Sequence, residues 1–269
     1  MNGAHEQGQG RVAIVTGGGT GIGAATARLF AAQGTGVALV GRRRELLEEV
    51  AAEITAQGGK ALCIAVDLGE AGAARQVVET VLAEMGRIDA LVNNAATIRV
   101  KPFEEFTADD FETHVAVNMR AIFFTIQAAL PALRRSPAPA IVNISSSVGS
   151  MIRIGNSLYG MTKAGIEYLT RSLAAEFGPA GIRVNAIAPG PVDTPIHKTW
   201  ADDLEAAYRQ LAFEVPLGRM GRAEEVAWWI VQLCEPHGAW VTGQIIHVDG
   251  GQTLSVVPPR PAGEWPAGG

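Results

Sequence analysis

The chain has 269 residues and a formal net charge of -5 at pH 7, with 48% apolar and 18% charged residues. These proportions are typical of a soluble globular enzyme with a substantial core. The negative balance gives no general attraction for phosphate backbones, and the one basic run, Arg42-Arg43-Arg44, is too short for a nucleic-acid surface, so nucleic acid is not an expected partner.

Short β-branched runs alternate with longer amphipathic segments along almost the whole chain. The runs predict strands at residues 11–15, 36–40, 61–66, 88–92, 140–145, 182–187 and 244–248. The amphipathic segments predict helices at residues 21–33, 45–57, 70–85, 108–133, 157–177 and 223–233. Because nearly all-apolar strands alternate with helices, we expect an α/β fold with a doubly wound parallel sheet of about seven strands and helices on both faces.

No proline- or serine-rich linker interrupts this pattern, so it predicts one domain over residues 9–252, with flexible tails at residues 1–8 and 253–269. Within the domain, residues 191–216 delay the next clear helix. A long excursion beyond the carboxyl end of a strand is typical of a lid over a binding crevice, and we predict a substrate lid here. The alternative is an ordinary helical insertion.

A glycine-rich turn, Thr16 to Gly23, follows the first strand and opens the first helix. Glycine permits a tight turn and lets the backbone approach a pyrophosphate at the positive end of a helix. An ordinary strand-to-helix turn can also use glycines, but the β-α units on either side favour a nucleotide site. The predicted contacts are Gly17, Gly19, Thr20, Gly21, Ile22 and Gly23.

The end of the second strand discriminates between cofactors. About twenty residues beyond the glycine turn, where an acidic residue would hold the ribose hydroxyls of NAD, the chain has Gly41 followed by Arg42 and Arg43. A guanidinium can bind a 2′-phosphate bidentately, and no carboxylate repels it. We therefore predict NADP, with use of NAD left open. The alternative is that the arginines merely begin a solvated helix.

Tyr159 and Lys163 lie four positions apart in a predicted helix, so the phenol and the ammonium share one face. A fixed cation beside a phenol favours the phenolate and makes the group a usable proton carrier. The alternative assigns Tyr159 to aromatic packing and Lys163 to the solvated surface.

Neither a metal site nor secretion is expected. Cys63 and Cys234 lie far apart in apolar surroundings, and the five histidines show no ligand spacing. The first ten residues lack the apolar core of a signal peptide, and the apolar stretch at residues 121–133 is too short to span a bilayer. We expect a cytoplasmic protein without a membrane partner.

Together these motifs resemble the short-chain dehydrogenase/reductase family over about residues 9 to 252. The glycine turn matches the family's Thr-Gly-x-x-x-Gly-x-Gly, and Tyr159 with Lys163 matches its Tyr-x-x-x-Lys. Asn118 matches the family's helix asparagine, and Ser146 its strand serine. On an alternating strand, the neighbouring Ser145 and Ser147 point elsewhere and are expected to make structural hydrogen bonds.

Further family segments occur in order. Asn93-Asn94-Ala95-Ala96 is similar to the family's Asn-Asn-Ala-Gly, with Ala96 as a departure that narrows the floor of the site by a methyl group. Asp67-Leu68 resembles the pair that contacts adenine, and the segment from Pro189 to Thr194 resembles the one that flanks nicotinamide. The resemblance thus implies these further cofactor contacts: Asp67, Leu68, Asn94, Ala95, Tyr159, Lys163, Pro189, Gly190, Val192 and Thr194.

The resemblance implies a Rossmann-type fold and hydride transfer between NADP and a carbonyl or secondary alcohol. In that scheme Ser146 donates a hydrogen bond to the reacting oxygen and Tyr159 exchanges a proton with it. Lys163 binds the nicotinamide ribose and keeps the phenol acidic, while Asn118 helps hold a water chain that resupplies protons. Family members commonly form tetramers through two long helices, so a homotetramer or homodimer is expected.

The resemblance implies that the residues that discriminate between substrates lie in the variable lid. The candidate lining, more apolar than polar, comprises Ile98, Met151, Ile152, Ile196, His197 and Trp200. This lining favours a ketone with a hydrocarbon part, or a 3-oxoacyl group, over a free sugar. Two alternatives stay open: an alcohol or sugar dehydrogenase that tolerates NAD, and a catalytically silent nucleotide-binding regulator. The second is disfavoured because all four catalytic side chains are present.

Overall fold

Seven parallel strands form the centre of the computed structural model, which describes residues 10–199 and 203–254. The strands are β1 (Val12–Thr16), β2 (Gly36–Gly41), β3 (Ala61–Ala65), β4 (Ala90–Asn93), β5 (Ala140–Ile144), β6 (Arg183–Pro189) and β7 (Ile245–Val248). Their order across the sheet is β3-β2-β1-β4-β5-β6-β7. The predicted tail at residues 1–8, nearly all of the tail at 253–269, and Trp200 lie outside the described residues.

The order of the strands places a topological switch point between β1 and β4. From β1 the sheet grows through β2 to β3 in one direction, and from β4 through β5 to β7 in the other. Chains that leave two neighbouring strands toward opposite faces open a crevice at the carboxyl ends of those strands. The glycine turn after β1 and Asn94 after β4 border this crevice.

Helices cover both faces of the sheet. The helices are α1 (Gly21–Ala32), α2 (Arg44–Ala56), α3 (Ala73–Met85), α4 (Ala108–Val115), α5 (Ala121–Leu133), α6 (Ser157–Phe177), α7 (Leu204–Phe213) and α8 (Ala223–Cys234). Side chains of α1, α2 and α8 form one hydrophobic cluster with the sheet, and those of α3, α5 and α6 form the other. Within β1, Ile14 packs into one cluster and Val15 into the other. Burial on both faces explains why the strands are nearly continuous apolar runs.

The predicted α/β fold is confirmed, and each predicted strand and helix is present with boundaries shifted by a few residues. The largest shift is at α3, which begins at Ala73 although the pattern predicted a start at residue 70. Gly72, its N-cap, has φ 85°, a left-handed conformation that cannot be part of an α-helix. Sequence periodicity does not reveal such a turn.

The predicted helix at residues 108–133 is continuous but irregular. A π turn, Ala116–Arg120, separates α4 from α5. The apolar stretch considered above is therefore part of a longer helix, Ala108–Leu133, which by length and composition alone could cross a membrane. Ile122, Ile126 and Leu133 are buried in the hydrophobic cluster against the sheet, as in a core helix of a globular protein.

The segment at residues 191–216 forms a 3-10 helix, Pro195–Thr199, and the separate helix α7. It leaves the carboxyl end of β6 and returns before α8. We refer to residues 191–216 as the lid segment.

Candidate active site

The glycine turn passes directly from β1 into α1. Gly17 and Gly21 adopt left-handed conformations, with φ 66° and 52°. A Cβ atom at Gly23 would lie 2.2 Å from the carbonyl oxygen of Gly17, so only glycine lets the helix pack this closely on the turn. The first turn of α1 therefore presents main-chain N–H groups and the positive end of its dipole at the crevice, an arrangement that fits a pyrophosphate. Gly19, Thr20 and Ile22 lie half-buried in the same turn.

Asn94 and Thr16 hold the ends of β1 and β4 together beside the glycine turn. The Oγ1 atom of Thr16 accepts hydrogen bonds from the main-chain N–H groups of Asn94 at 2.9 Å and Ala95 at 3.0 Å. In return, Nδ2 of Asn94 donates to the carbonyl oxygen of Thr16 at 2.8 Å and of Gly17 at 3.3 Å. The side-chain amide of Asn94 thus holds the glycine turn, and the predicted contact of this residue with the cofactor stays a prediction.

Two arginines lie at the end of β2, one strand away from the glycine turn. Arg42 forms a loose ion pair with Asp67, with 3.8 Å between Nη1 and Oδ2, and these side chains are 73% and 41% exposed. Arg43 is the exposed N-cap of α2. Exposed pairs contribute about 0–1 kcal/mol, so Arg42 can reorient toward a phosphate at little cost. The residues present therefore fit the 2′-phosphate of NADP.

Asp67 and Leu68, predicted to contact adenine, lie directly beyond β3. Asp67 accepts a hydrogen bond from the N–H group of Gly69 at 2.8 Å. Leu68 is only 7% exposed, and its side chain belongs to the hydrophobic core. The main chain of Leu68 is therefore the part that could meet adenine, and the predicted contact stays a prediction.

The three adjacent serines after β5 have different surroundings. Ser145 is buried, and its Oγ donates to Oε1 of Glu167 at 2.9 Å, while the Oγ of Ser147 donates to Oε1 of Gln252 at 2.8 Å. Both therefore make structural hydrogen bonds, as the alternation predicts. Ser146 is half-buried, and its hydroxyl lies close enough to that of Tyr159 to lower the pKa of the phenol. Of the three, Ser146 is the one paired with the candidate proton carrier.

Tyr159 and Lys163 lie one turn apart on α6, and both are buried, with 8% and 1% exposure. The ammonium of Lys163 donates to the carbonyl oxygen of Ile144 at 2.6 Å and lies 5.4 Å from the centroid of the Tyr159 ring. The structure thus brings Ser146, Tyr159 and Lys163 together beyond the end of β5. The reading of Lys163 as a solvated surface charge is wrong.

The pKa values of this pair correct one expectation. Burial raises the pKa of Tyr159 to about 12, and the hydrogen bond with Ser146 offsets only part of that rise. Burial also lowers the pKa of Lys163 to about 8. The prediction that the lysine makes the phenol more acidic does not hold in this arrangement, because burial penalises the phenolate more than the surroundings stabilise it. At neutral pH the phenol is protonated, as a proton donor must be.

Asn118 lies fully buried inside the π turn. Its Oδ1 accepts from the N–H group of Thr97 at 2.8 Å, and its Nδ2 donates to the Thr97 carbonyl at 2.9 Å and to Oγ1 of Thr162 at 3.2 Å. Asn118 thereby joins the loop after β4 to α6 next to Lys163. π turns displace main-chain carbonyls from their usual helical donors and are frequent at functional sites.

The segment after β6 closes the site from the lid side. Pro189 is the last residue of β6, and Gly190 packs so closely that a Cβ atom there would lie 2.7 Å from the Cα atom of Asp249. Val192 is buried in the core. A Cβ atom at Gly21 would lie 2.9 Å from Cγ2 of Thr194, so the start of the lid segment contacts the glycine turn.

The proposed substrate lining is only partly as expected. Ile98, Met151 and Ile196 are half-buried and Ile152 is 94% exposed. His197 instead packs inside the lid segment, where its Nε2 lies 2.8 Å from the carbonyl oxygen of Val192 and its ring contacts Tyr208 edge-on. Burial is the main cause that lowers the pKa of His197, so the ring is neutral at pH 7.

Sequence reasoning missed a buried carboxylate behind the serines. Glu167 is 5% exposed and accepts from Ser145 and, at 3.2 Å and 3.3 Å, from Ser150. Its place one turn beyond Lys163, on the same face of α6, was a usable signal. Ala96, the departure from the family motif, causes no backbone strain, because no described non-glycine residue has a positive φ. Over residues 10–199 and 203–254, no cluster of His, Cys, Asp or Glu could hold a metal.

Comparison with known proteins agrees with this geometry. The family model described as enoyl-(acyl carrier protein) reductase matches residues 17–253. A 2,5-dichloro-2,5-cyclohexadiene-1,4-diol dehydrogenase from Sphingobium indicum is 35% identical over 92% of this chain and 98% of its own. A 3-oxoacyl-(acyl-carrier-protein) reductase from Thermotoga maritima is 35% identical over 91% of this chain and 99% of its own.

Solved structures are similar over the same length. A short-chain dehydrogenase/reductase from Serratia marcescens superimposes with a TM-score of 0.86 at 35% identity, covering 92% of this chain and 99% of its own. A blue fluorescent protein from a metagenomic library, in complex with NADPH, superimposes with a TM-score of 0.85 at 35% identity, covering 91% and 99%. The chain therefore belongs to the short-chain dehydrogenase/reductase family and is an NAD(P)-dependent oxidoreductase that acts on a carbonyl or secondary alcohol.

Proposed function

We propose that this protein uses NADP(H) to reduce an uncharged ketone that carries a hydrocarbon ring or chain, or to oxidise the corresponding secondary alcohol. The observation that carries the proposal is the burial of Tyr159 and Lys163 one turn apart on α6, with the hydroxyl of Ser146 next to the phenol. This group lies beyond β5, two strands from the glycine turn that follows β1, and both are at the carboxyl edge of one parallel sheet. Proton transfer and hydride transfer can therefore meet in one crevice.

In this proposal each polar side chain has a separate role. Nicotinamide, when bound, supplies or accepts the hydride. Ser146 donates a hydrogen bond to the reacting oxygen, and Tyr159 donates its proton as negative charge develops there. The raised pKa keeps the phenol protonated until that moment. Lys163 is an ammonium below its pKa of about 8, binds the nicotinamide ribose, and stabilises the phenolate that the transfer leaves.

Proton resupply is assigned to the region of Asn118. Its side chain is fully engaged with Thr97 and Thr162, so the amide itself is a clamp. The π turn around Asn118 offers displaced main-chain carbonyls as acceptors for a water chain that leads to Lys163. Asn118 therefore supports the relay by holding the turn in place.

NADP is preferred in this proposal because of charge at the end of β2. Arg42 and Arg43 are exposed there, and Gly41 adds no carboxylate. The 2′-phosphate carries negative charge that two guanidinium groups attract and that an Asp or Glu would repel.

The substrate class is supported by the apolar rim of the crevice. Four exposed apolar side chains lie on the loops after β4 and β5, and they are Val100, Phe103, Ile152 and Ile154. Two relatives are dehydrogenases of ring alcohols by name, and both support a ring in the substrate. The cyclohexadiene diol of the first, the dehydrogenase named above, is uncharged. The second is a cis-4-hydroxycyclohexanecarboxylate dehydrogenase from Sinomonas cyclohexanicum, 36% identical over 90% of this chain and 96% of its own, and its named substrate carries a carboxylate, so it supports the ring and not the absence of charge. A cyclic ketone is thus the first substrate to test, and a 3-oxoacyl thioester is the second.

The test is oxidation of NADPH by the purified protein with 4-methylcyclohexanone, acetoacetyl thioester and a free aldose. We expect turnover of one of the first two and a loss of about 10²–10⁴-fold in kcat for Tyr159→Phe, which removes one oxygen and keeps the ring. The matched control is Tyr168→Phe, since Tyr168 lies on the same helix and is 74% exposed. Unchanged turnover in Tyr159→Phe, with NADPH binding intact, contradicts the proposed mechanism.

We also propose a cytoplasmic homotetramer or homodimer that uses the outer faces of α5 and α6. Of the apolar residues that could serve this interface, Phe123 and Phe124 are about half exposed, at 48% and 47%, and form an edge-to-face pair. Ile166 is buried in the monomer core instead, with Leu169 packed against that core. Sedimentation of wild-type protein and of Phe123→Glu tests the proposal, because the charge should dissociate the assembly.

A further inference from the structure

An ion pair joins the loop behind the catalytic serine to the lid segment. We define the catalytic loop as residues 147–158, between Ser146 and Tyr159. Arg153 in this loop contacts Glu214, which caps the C-terminal end of α7, through both terminal nitrogens: Nη1 with Oε2, and Nη2 with Oε1 at 3.2 Å. The two side chains are only 27% and 21% exposed. The pair is bidentate and partly buried, unlike the 65% and 84% exposed pair of Arg209 and Glu205 on the same helix.

The carboxylate of Glu214 is held from a second direction. Nε2 of Gln252 donates to Oε2 of Glu214 at 3.4 Å, and Oε1 of Gln252 accepts from the Oγ of Ser147 at 2.8 Å. Gln252 is 3% exposed, so this connection is inside the protein. Glu214 is thus tied both to Arg153 and, through Gln252, to the residue that follows the catalytic serine. Its position is fixed relative to Ser146 and is not that of a mobile surface side chain.

The guanidinium of Arg153 also acts on the beginning of the lid segment. Its positive charge is one of the causes, after burial, that lower the pKa of His197. His197 belongs to the first helical turn of the lid segment, and Glu214 lies at the end of α7. Arg153 therefore connects the loop from Ser146 to Tyr159 with both ends of the lid segment, and the proposed function places the substrate entrance beside this loop.

Two further cations near the catalytic loop, Lys101 and Arg99, also have a carboxylate partner. Lys101 binds Asp110 with 2.6 Å between Nζ and Oδ2, and Arg99 lies 4.0 Å from the other oxygen of Asp110. A main-chain hydrogen bond from Lys101 N–H to the Gly155 carbonyl, at 3.1 Å, joins this side to the catalytic loop. Arg153, Lys101 and Arg99 thus each have a carboxylate partner, and Ile152 and Ile154 on either side of Arg153 are exposed apolar side chains.

We propose that Glu214 is a specificity-determining residue: by occupying Arg153 it neutralises the entrance, so the site accepts uncharged substrates and rejects those that carry a carboxylate or phosphate. An anionic substrate must either displace Glu214 from Arg153 or be desolvated beside a fixed carboxylate, and both are unfavourable. An uncharged substrate of the same shape meets neither cost. The inference deepens the proposed function and depends on it for the place where substrate binds.

The experiment uses two ligands of nearly identical shape that differ in charge, 4-oxocyclohexanecarboxylate and 4-oxocyclohexanecarboxamide. Binding to the full-length protein saturated with NADP⁺ is measured by calorimetry, because a ketone cannot be reduced by the oxidised cofactor. We expect wild-type protein to bind the carboxamide more tightly than the carboxylate. Glu214→Gln leaves Arg153 beside a neutral partner of similar shape, and the ratio of the two dissociation constants should shift toward the carboxylate by about tenfold or more.

Two further variants separate this effect from general changes of charge or lid position. Glu205→Gln removes the same charge from the same helix but from the pair with Arg209, and it should leave the ratio unchanged. Arg153→Gln combined with Glu214→Gln should restore preference for the carboxamide. If Glu214→Gln weakens or strengthens both ligands equally, or if Glu205→Gln gives the same shift, the inference is overturned.

If Glu214→Gln does not fold, the single variant Arg153→Gln tests the same inference. This variant leaves Glu214 without its cation, so carboxylate binding should weaken further while carboxamide binding changes little. Equal changes for the two ligands in Arg153→Gln would overturn the inference.

Failure of the proposed function has a different signature. If wild-type protein with NADPH fails to reduce the carboxamide ketone, the ketone assignment falls, but the ratio of dissociation constants still decides the role of Glu214. If neither ligand binds to any of these proteins, both are contradicted.

Discussion

The ammonium group of Lys163 donates a hydrogen bond to the carbonyl oxygen of Ile144, the last residue of β5, at 2.6 Å. This contact fixes α6 against the strand that leads to Ser146. The lysine is 1% exposed, so its charge is kept inside the protein with few polar partners. Such a group is expected to cost stability in exchange for function.

The first prediction follows from the pKa of Lys163, which burial lowers from 10.5 to about 8. Between these two values the unfolded chain binds more protons than the folded chain, so wild-type stability gains from this group as pH rises through that window. Below pH 8 the cost of the buried ammonium is constant. Lys163→Met removes this cost but also loses the hydrogen bond to Ile144. After both effects, the variant should be more stable than wild type at pH 7 by on the order of 1–3 kcal/mol.

Urea unfolding of both proteins at pH 7 and pH 10 measures the difference. The advantage of Lys163→Met should shrink at pH 10. A difference that stays constant between the two pH values would show that the pKa of Lys163 is the same in the folded and the unfolded chain.

The second prediction concerns cofactor choice. Arg42→Asp places a carboxylate next to Asp67 and removes one guanidinium at the end of β2. We expect kcat/KM for NADPH to fall by about tenfold or more and that for NADH to stay or rise. Arg44→Asp is the control, because it makes the same change of charge at a residue that pairs with Glu48 along α2. Equal effects of the two variants on NADPH would contradict the role of Arg42.

The third prediction tests the fit of the glycine turn. At Gly23→Ala the new methyl group would lie 2.2 Å from the carbonyl oxygen of Gly17 and 2.6 Å from Nδ2 of Asn94. The turn must then open, so cofactor affinity should fall by at least about tenfold, with a loss of stability of about 1–3 kcal/mol. Gly221→Ala, where the new methyl group would be in ordinary contact 3.5 Å from Cγ2 of Val192, should change neither. Nucleotide binding by Gly23→Ala at wild-type strength would disprove the close approach.

The fourth prediction is a loss of stability in acid that involves His114. This ring is fully buried, with Nε2 accepting from Arg99 N–H at 3.2 Å and Nδ1 at 2.7 Å from the carbonyl oxygen of Asp110. Burial is the main cause that lowers the pKa of His114 below 6.5, and the charges of Arg99 and Lys101 lower it further. The contacts with Asp110 raise this pKa, but by less. The unfolded chain therefore takes up the proton first as pH falls through 6.5, and the folded state loses stability from that point downward.

Thermal unfolding of wild type and of His114→Gln at pH 8 and pH 5 provides the measurement. At pH 8 the variant should be less stable by about 1–3 kcal/mol, because buried partners lose their hydrogen bonds. At pH 5 the gap should narrow. A gap that widens in acid would mean that the folded state holds His114 protonated.

Much of the site could be predicted because its signals are local. Ser146 follows a strand, and Tyr159 and Lys163 share a helix face, so strand alternation and helical periodicity suffice to bring them together. The glycine turn and the two arginines could also be predicted, because each directly follows a strand that the apolar pattern identifies. The strands could also be predicted locally, because strands that are buried on both faces of a sheet are nearly continuous apolar runs.

The features that could not be predicted depend on how deeply a side chain is buried and on contacts between residues that are far apart in the sequence. The rise in the pKa of Tyr159 follows from burial, which spacing does not report. Leu68 resembles one residue of an adenine-contacting pair, but its side chain is buried with side chains of α3 and α5, and sequence spacing does not report this burial. Arg153 and Glu214 are 61 positions apart and belong to types usually found on the surface, so only the folded lid segment shows that they meet.

The π turn at Ala116–Arg120 has a consequence for the register of the whole domain. A π turn contains one residue more than an α turn, so the deletion of one residue here would give a smoother helix. It would also rotate α5 about its axis by about 100° relative to α4. The seam of Ile122, Ile126 and Leu133 would then leave the sheet. The one additional residue of the π turn therefore lets Asn118 face α6 while the apolar side of α5 faces the sheet. A regular α-helix over the same residues could not satisfy both contacts.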